Sequence, residues 1–285
     1  MHLKSCIFLS SVGGMTTQAT LTITDDDRAL MTAVTDAARE AGGRLLEIYS
    51  PQARPADRSD LFTAGRRNEE VSLAVLTPAL AAARPGARWV DEDQETAALP
   101  PGEWWSVDAV EGNVNHVHGQ PQWCVSIALI RDGVPVLAVV RQPAADLTYT
   151  AARGGGAFLN GQPLRVSPKV SLDAAIVATG QAEAGQDDTY RRIGESVTAM
   201  LGRALLVRAT VPSTFPLLDV AAGHADVFWQ YEPVLPGIAP GALLVTEAGG
   251  RVTDLRGQPW APGAPDVLAA TPGLHAAALD VLRQS

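Results

Sequence analysis

The sequence predicts one layered α/β protein, and two patterns along the chain carry this prediction. In the first half, two helical segments precede a run of short strands joined by tight turns. In the second half, strand and helix patterns alternate, which is typical of α/β folds. The chain has 285 residues, of which 46% are hydrophobic and 19% charged, so it can bury a sizeable core.

The first half begins with two amphipathic helices. An acidic triplet at residues 25–27 marks a helix start, and apolar residues then recur at helical spacing over 26–49. Residues 51–60 are rich in Pro, Arg and Asp, which predicts a loop. A second amphipathic helix is predicted over 67–83, where Pro85 follows and stops it.

The strands of the first half are short and joined by tight turns. A buried strand over 104–107 is predicted to deliver Asp108 at its end. Two apolar runs, 123–130 and 135–140, are joined by Arg131-Asp132-Gly133, which indicates a β-hairpin. A further strand at 147–151 and an Asn160-Gly161 turn complete a small meander that ends near Val166.

The second half predicts alternating strands and helices. The predicted strands are 175–179, 204–207, 225–229 and a last one before the final helix; the predicted helices are 187–201, 215–223, 237–248 and 276–282. We therefore expect an N-terminal α+β lobe over residues 15–167, which holds the acidic site, and a C-terminal α/β lobe over 168–285. Residues 1–14 precede a second methionine, Met15, and are predicted to be an unstructured extension.

Charge and cysteine content exclude several classes of protein. The net charge is −9 and no Lys/Arg cluster exceeds a pair, so nucleic-acid polymers are not expected partners. The two cysteines, Cys6 and Cys124, lack metal-ligand spacing, which argues against a disulfide framework and favours the cytoplasm. No apolar run is long enough for a transmembrane helix.

The most informative stretch runs from Trp105 to Gly119. It places Asp108 and Glu111 on either side of Val110, ahead of a glycine that permits a sharp turn. Two carboxylates and the intervening backbone carbonyl can converge on a hard cation such as Mg²⁺, which prefers oxygen ligands and bridges to phosphate. Upstream, Glu92 follows a predicted strand and can add a third carboxylate.

Three segments, in the same order, resemble the inositol monophosphatase family of metal-dependent small-molecule phosphatases. Residues 105–119 resemble its strand followed by Asp-Pro-Ile-Asp-Gly-Thr-x-Asn-Phe, residues 154–161 its Gly-x-Gly-Ala-Phe-x-Asn-Gly turn, and residues 241–250 its late helix with a glycine pair. The resemblance implies a layered α/β/α/β/α sandwich, a homodimer, and a small, anionic, phosphorylated substrate.

The resemblance also implies a set of metal ligands. Glu92 matches the family's glutamate ligand, Asp108 its bridging aspartate and Val110 the residue that ligates through its carbonyl. Glu111 replaces the aspartate that follows and keeps its charge. The residue that matches a late aspartate, a ligand of the second metal, is Gly237. One Mg²⁺ site is therefore expected and a second is not.

Other positions depart from the family pattern. Asn113 replaces the threonine that holds the attacking water, and Arg66 aligns with the aspartate that helps to activate it. Ser213 lies in the segment that matches a phosphate- or sugar-binding one, and Gln230 replaces a substrate-binding glutamate. With Gly112, these residues form the predicted substrate-binding set.

Two further side chains are candidates for acid–base work. His116 stands where the family has phenylalanine; it can act as a general acid or base, or serve as a structural residue. Glu232 precedes Gly237 and can contact the substrate. Arg66 can bind an anionic substrate or neutralise the carboxylates in place of a lost cation.

Three functions follow from these residues. The leading one is a divergent Mg²⁺-dependent phosphomonoesterase acting on a small phosphorylated polyol, sugar or nucleotide. The second is a repurposed enzyme that uses the carboxylates for non-hydrolytic acid–base chemistry. The third is an inactive binding or regulatory protein that retains the fold.

Overall fold

The computed structural model describes residues 25–181 and 185–285, whose helices and strands stack in five layers. The extension predicted at residues 1–14 lies outside the described residues. The elements of the first half are α1 (Asp25–Ile48), α2 (Arg58–Ala83), β1 (Arg88–Trp89), β2 (Glu103–Glu111), α3 (Asn113–Val117), β3 (Cys124–Arg131), β4 (Val134–Gln142), β5 (Leu147–Ala152), β6 (Gly156–Leu159) and β7 (Gln162–Pro163). Those of the second half are β8 (Ile176–Thr179), α4 (Asp187–Leu201), β9 (Leu206–Ala209), α5 (Thr214–Ala221), β10 (Val227–Tyr231), α6 (Leu235–Glu247), β11 (Arg251–Thr253), β12 (Asp266–Ala270) and α7 (Pro272–Arg283).

The first sheet has seven strands in the order β1 to β7, and all neighbours except β1 and β2 are antiparallel. The predicted hairpin between β3 and β4 is present. Asp132 and Gly133 both have positive φ, at 50° and 75°, as a tight turn with right-handed strand twist requires.

The second sheet has five strands in the order β11-β12-β10-β8-β9, with parallel pairing of β8 to β9 and to β10. Helices α1 and α2 pack on one face of the first sheet. Helices α5 and α6 lie between the sheets, and α4 and α7 cover the outer face of the second sheet. The layered α/β/α/β/α arrangement expected from the sequence is confirmed.

Two predicted boundaries in the first half are wrong, and both bear on the site. Helix α2 begins at Arg58, because Asp57 caps it by accepting a hydrogen bond from the Asp60 backbone N–H at 3.0 Å. The segment interpreted as a loop is therefore partly helical. Strand β2 continues through Asp108 to Glu111 instead of ending before them.

Within residues 25–181 and 185–285, the helices are all too short or too polar to cross a membrane.

Candidate functional site

A pocket of about 560 Å³ gathers most of the predicted acidic residues. Its wall comes from α2, β2, β10, α6 and the segments beside them. Six acidic side chains line it: Glu69, Glu92, Glu95, Asp108, Glu111 and Glu232. Among the described residues of this wall there is no Lys, Arg or His. The pocket is therefore strongly electronegative and would repel a phosphate dianion unless a cation accompanied it.

A β-bulge in β2 brings Asp108 and Glu111 to the same side of the sheet. Asp108 pairs with Ser126 and Glu111 with Cys124, so two residues of β2 oppose one residue of β3. Without the extra residue, side chains three apart on a strand would point to opposite faces. The bulge frees the Ala109 carbonyl, which accepts a hydrogen bond from the buried Ser72 hydroxyl at 2.7 Å.

Glu111 is buried at the bottom of this pocket, with 6% of its surface exposed. Burial raises its pKa well above the ordinary value; the nearby Asp108 charge and a hydrogen bond to Asp108 add to the rise. Hydrogen bonds from Thr214, the first residue of α5, partly oppose it. The protonated Glu111 carboxyl thus donates its proton in a hydrogen bond to Asp108 when no cation is present.

Gly237 of α6 faces the Glu111 carboxylate. A Cβ built on Gly237 would lie 3.7 Å and 3.8 Å from the two carboxylate oxygens of Glu111. The Thr214 hydroxyl donates to the Gly237 carbonyl at 3.0 Å and fixes this approach. The longer side chain at position 111 therefore extends toward the space that a side chain at position 237 would enter.

Glu69 of α2 also lines the pocket, and the sequence analysis missed it. Its Oε1 accepts a hydrogen bond at 3.1 Å from Nδ2 of Asn113, which also donates to the Gly65 carbonyl at 3.0 Å. The side chain predicted to hold water thus has both amide hydrogens engaged, and it positions the Glu69 carboxylate. Glu69 lies within the helix predicted over 67–83, but no local pattern distinguishes it from its acidic neighbour Glu70.

His116 does not reach the acidic pocket, which contradicts its predicted catalytic role. Its Nε2 must donate to the Leu45 carbonyl at 3.1 Å, so Nδ1 accepts from Asn68 Nδ2 at 3.0 Å. Its ring packs edge-on against Tyr49 and Trp123. Burial lowers the pKa of His116, despite the Leu45 carbonyl, so the ring is neutral and structural.

The structure divides the remaining predicted site residues into two groups. Glu92, Ser213, Gln230 and Glu232 lie on the pocket wall. Arg66, Gly112 and Val110 are not among the residues that line it. Arg66 is exposed on α2 and does not line the pocket, whereas Glu69, about one turn later on the same helix, does.

Gly112 and Val110 act on the backbone of the site. Gly112 has a φ of 82°, and a Cβ there would meet the Gln122 carbonyl oxygen at 2.7 Å, so only glycine fits between β2 and α3. The Val110 side chain is buried in the core below α1 and α2, and its backbone N–H donates to Oδ1 of Asp108 at 2.9 Å. Both residues hold Asp108 and Glu111 in place.

The Asp108–Glu111 pair has the donor chemistry of a divalent-cation site. Mg²⁺ in proteins is commonly held by one or two carboxylates, with water and substrate phosphate in the other positions, and the Asp108–Glu111 pair supplies such carboxylates. Among the described residues there is no group of three or more His, Cys, Asp or Glu side chains placed to hold a metal ion. The predicted trio with Glu92 is therefore not assembled; Glu92 lies in an exposed 3₁₀ turn (Glu92–Gln94).

Comparisons with known proteins agree with this fold. The model of the inositol monophosphatase family matches residues 26–285. An inositol-1-monophosphatase of Rhizobium meliloti is 33% identical over 234 residues, which cover 80% of this chain and 86% of that protein. A putative Nus factor SuhB of Neisseria meningitidis is 33% identical over 253 residues, or 86% of this chain and 95% of that one.

A solved structure of a similar protein has the same fold. The extragenic suppressor protein suhB of Bartonella henselae superimposes with a TM-score of 0.75 at 28% identity, covering 90% of this chain and 99% of that chain.

Proposed function

This chain belongs to the inositol monophosphatase family, and from that premise we propose that it hydrolyses small phosphate monoesters with one Mg²⁺ ion. The observation that carries the proposal is the acidic pocket. Six carboxyl groups and no basic group on its described wall require a cation before a phosphate can enter. Phosphomonoester hydrolysis is also what the name of the Rhizobium relative implies.

In this proposal Asp108 and Glu111 hold the cation, and water or substrate fills its other positions. A bound Mg²⁺ offsets the charge of the phosphate and lowers the pKa of a bound water. Cation binding requires the proton that Glu111 donates to Asp108 to leave, since a metal ligand must be deprotonated.

Glu69 is the proposed proton acceptor for the attacking water. Asn113 fixes one of its oxygens, and the carboxylate lies on the same pocket wall as Asp108. The water gives a proton to Glu69 as its oxygen bonds to phosphorus, the ester P–O bond breaks, and the leaving alkoxide takes up a proton from solvent. Such base assistance contributes about 10²- to 10⁴-fold in rate.

The test is phosphate release from a panel of sugar, polyol and nucleotide phosphates, with Mg²⁺ and with EDTA. We expect turnover with Mg²⁺ only, and loss of about 10²-fold or more in Asp108→Asn, because a charged ligand is removed. The matched control is Asp93→Asn, since Asp93 is exposed and is absent from the pocket wall. Turnover that Asp108→Asn leaves intact, or no turnover on the whole panel, would contradict the proposal.

A second candidate function rests on the hydrogen bond that the protonated Glu111 donates to Asp108. A carboxylic acid beside a carboxylate can act as a general acid and base without metal. The same panel separates the two functions, because chemistry of this kind would persist in EDTA. His116 has no part in it, since both of its ring nitrogens are occupied in the core.

A further inference from the structure

One side of the acidic pocket carries no charge. Gln181, Val211, Pro212 and Ser213 line it there, and none of these side chains ionises near neutral pH. Gln230 adds a neutral amide nearby. A ligand in the pocket therefore meets carboxylates on one side and neutral groups on the other.

A second cavity, of about 440 Å³, adjoins this neutral side. Gln181 and Val211 line both cavities, so the two are neighbours that share these side chains as a common wall. The other walls include Tyr190, Ile193 and Ala209. Val211 and Tyr190 leave 47% and 41% of their surfaces uncovered, which is unusual for large apolar side chains beside a polar site.

The aromatic ring of this cavity is held in position. The Tyr190 hydroxyl accepts a hydrogen bond from the Gly185 backbone N–H at 2.8 Å. The residue lies near the start of α4, so its ring is anchored at both ends. A fixed aromatic side chain offers a face on which a flat ring can stack.

Gly180 lines the second cavity, and because it has no side chain it leaves room for the hydrogen-bonded pair Ser213 and Gln230 beside it. A Cβ on Gly180 would lie 2.5 Å from Oε1 of Gln230 and 3.0 Å from Oγ of Ser213. Ser213 donates to that same Oε1. Among the described residues, no hydrogen bond occupies Nε2 of Gln230, so its amide hydrogens remain for a ligand with acceptor atoms.

We propose that the substrate is a nucleoside monophosphate, whose phosphate enters the acidic pocket and whose base occupies the cavity beside Tyr190. This inference rests on the proposed function and narrows its substrate class. A base presents flat apolar faces to Tyr190, Ile193 and Val211, and ring acceptor atoms to the neutral amides. Thr210 and Gln181 also line the cavity and can bind polar atoms, but the surface offered by Tyr190, Ile193 and Val211 suits the faces of a base better than the hydroxyl groups of a polyol.

The test compares adenosine 5′-monophosphate with ribose 5-phosphate, because the two share the scissile bond and differ only by the base. We expect kcat/KM with Mg²⁺ to be about tenfold or more higher for the nucleotide. Stacking of a base on an aromatic side chain contributes enough binding free energy to account for a ratio of this size. Ala209→Trp fills the cavity from an exposed position and should abolish this ratio. Leu206→Trp is the matched control: it is 43% exposed on the same strand, lies off the cavity wall and should keep the ratio.

The outcomes separate the two proposals. Equal kcat/KM for both esters in the wild type would overturn the base-binding inference and leave the proposed function standing. Hydrolysis of neither ester, when other members of the panel are turned over, would also overturn the base-binding inference, whereas no turnover on the whole panel would overturn the proposed function. Calorimetry with adenosine alone tests whether the cavity binds a base. Binding that is lost in Ala209→Trp and in Tyr190→Ala but kept in Leu206→Trp supports the base-binding inference. Absence of adenosine binding in the wild type overturns the inference.

Discussion

At the scale of single residues, two replacements in the site fit one another. Glu111 is one methylene longer than the aspartate of the family pattern, and Gly237 lacks the side chain of the family's late aspartate. The carboxylate of Glu111 lies within 4 Å of the position of a Cβ on Gly237. The pair therefore keeps one carboxylate where two would otherwise meet, which explains why one cation is expected.

Gly237→Asp should introduce a second carboxylate against Glu111. Without a cation we expect it to lower the free energy of unfolding by about 1–3 kcal/mol relative to Gly237→Asn, because a further carboxylate is then placed in an acidic pocket against the buried Glu111 carboxyl. Combined with Glu111→Asp, it should bind one Mg²⁺ more than the wild type in calorimetric titration. An unchanged stoichiometry in the double variant would show that position 237 does not limit cation binding.

Glu69 is the residue whose role is most open to direct measurement. We expect Glu69→Gln to lower kcat by about 10²-fold or more with little change in KM, since proton transfer is lost and substrate contacts are kept. Glu70→Gln is the control, because Glu70 is exposed beside it and is not on the pocket wall. If both variants keep wild-type kcat, Glu69 is not the base.

At the scale of elements, a chain of hydrogen bonds joins α1, α2 and α3. The Leu45 carbonyl accepts from His116, His116 accepts from Asn68, and Asn68 also donates to Oδ1 of Asn113 at 2.8 Å. Asn113 then holds Glu69. The direction of every bond follows from the Leu45 carbonyl, which can only accept. His116 and Asn68 thus help to orient Glu69, although neither of them lines the pocket.

Asn68→Ala should remove both donors of this chain. His116 Nδ1 and Asn113 Oδ1 would be left unsatisfied, so we expect a loss of about 1–3 kcal/mol in urea unfolding. We also expect a lower kcat, because Asn113 would no longer be fixed. Glu70→Ala, on the exposed side of α2, serves as the control. Stability equal to the wild type would mean that the buried network contributes little.

At the scale of the whole molecule, the protonation of Glu111 links stability to pH and to cations. Its folded pKa lies above the ordinary value of 4.5. The stabilising contribution is therefore complete below the unfolded pKa and is lost as the pH rises through the folded pKa, when a buried charge forms. A cation reverses this loss by binding the ionised form. The homodimer that the family resemblance implies stays a prediction.

Glu111→Gln should flatten this pH dependence. Without cations, wild-type stability should fall above pH 4.5 by up to about 1.4 kcal/mol per pH unit from this group, and the variant should not show the fall. Chemical denaturation in EDTA at several pH values measures it, with Glu70→Gln as the exposed control. Parallel profiles for wild type and variant would mean that Glu111 is not the group that titrates. Added Mg²⁺ should restore stability at high pH in the wild type alone.

Much of the fold was readable from the sequence because its signals are local. The hairpin is marked by its turn residues, Asp132 and Gly133, which are adjacent in the chain. The helix α4 (Asp187–Leu201) is marked by the spacing of its apolar residues, which repeats every three or four positions. Asp108 and Glu111 were also found this way, since they are close in sequence. Such short-range patterns do not depend on what packs against them.

The tertiary structure alone decided which side chains share the pocket. Glu69 lines it and Arg66 does not, because the rotation of α2 depends on its packing against α1 and the first sheet. His116 belongs to the core, because Leu45 and Asn68 bind both of its nitrogens. The sequence by itself determined the layered fold and the acidic pair on β2. Contacts between residues far apart in the chain placed Glu69 on the pocket wall, His116 in the core and the neutral cavity beside the pocket, because they depend on distances that no local pattern encodes.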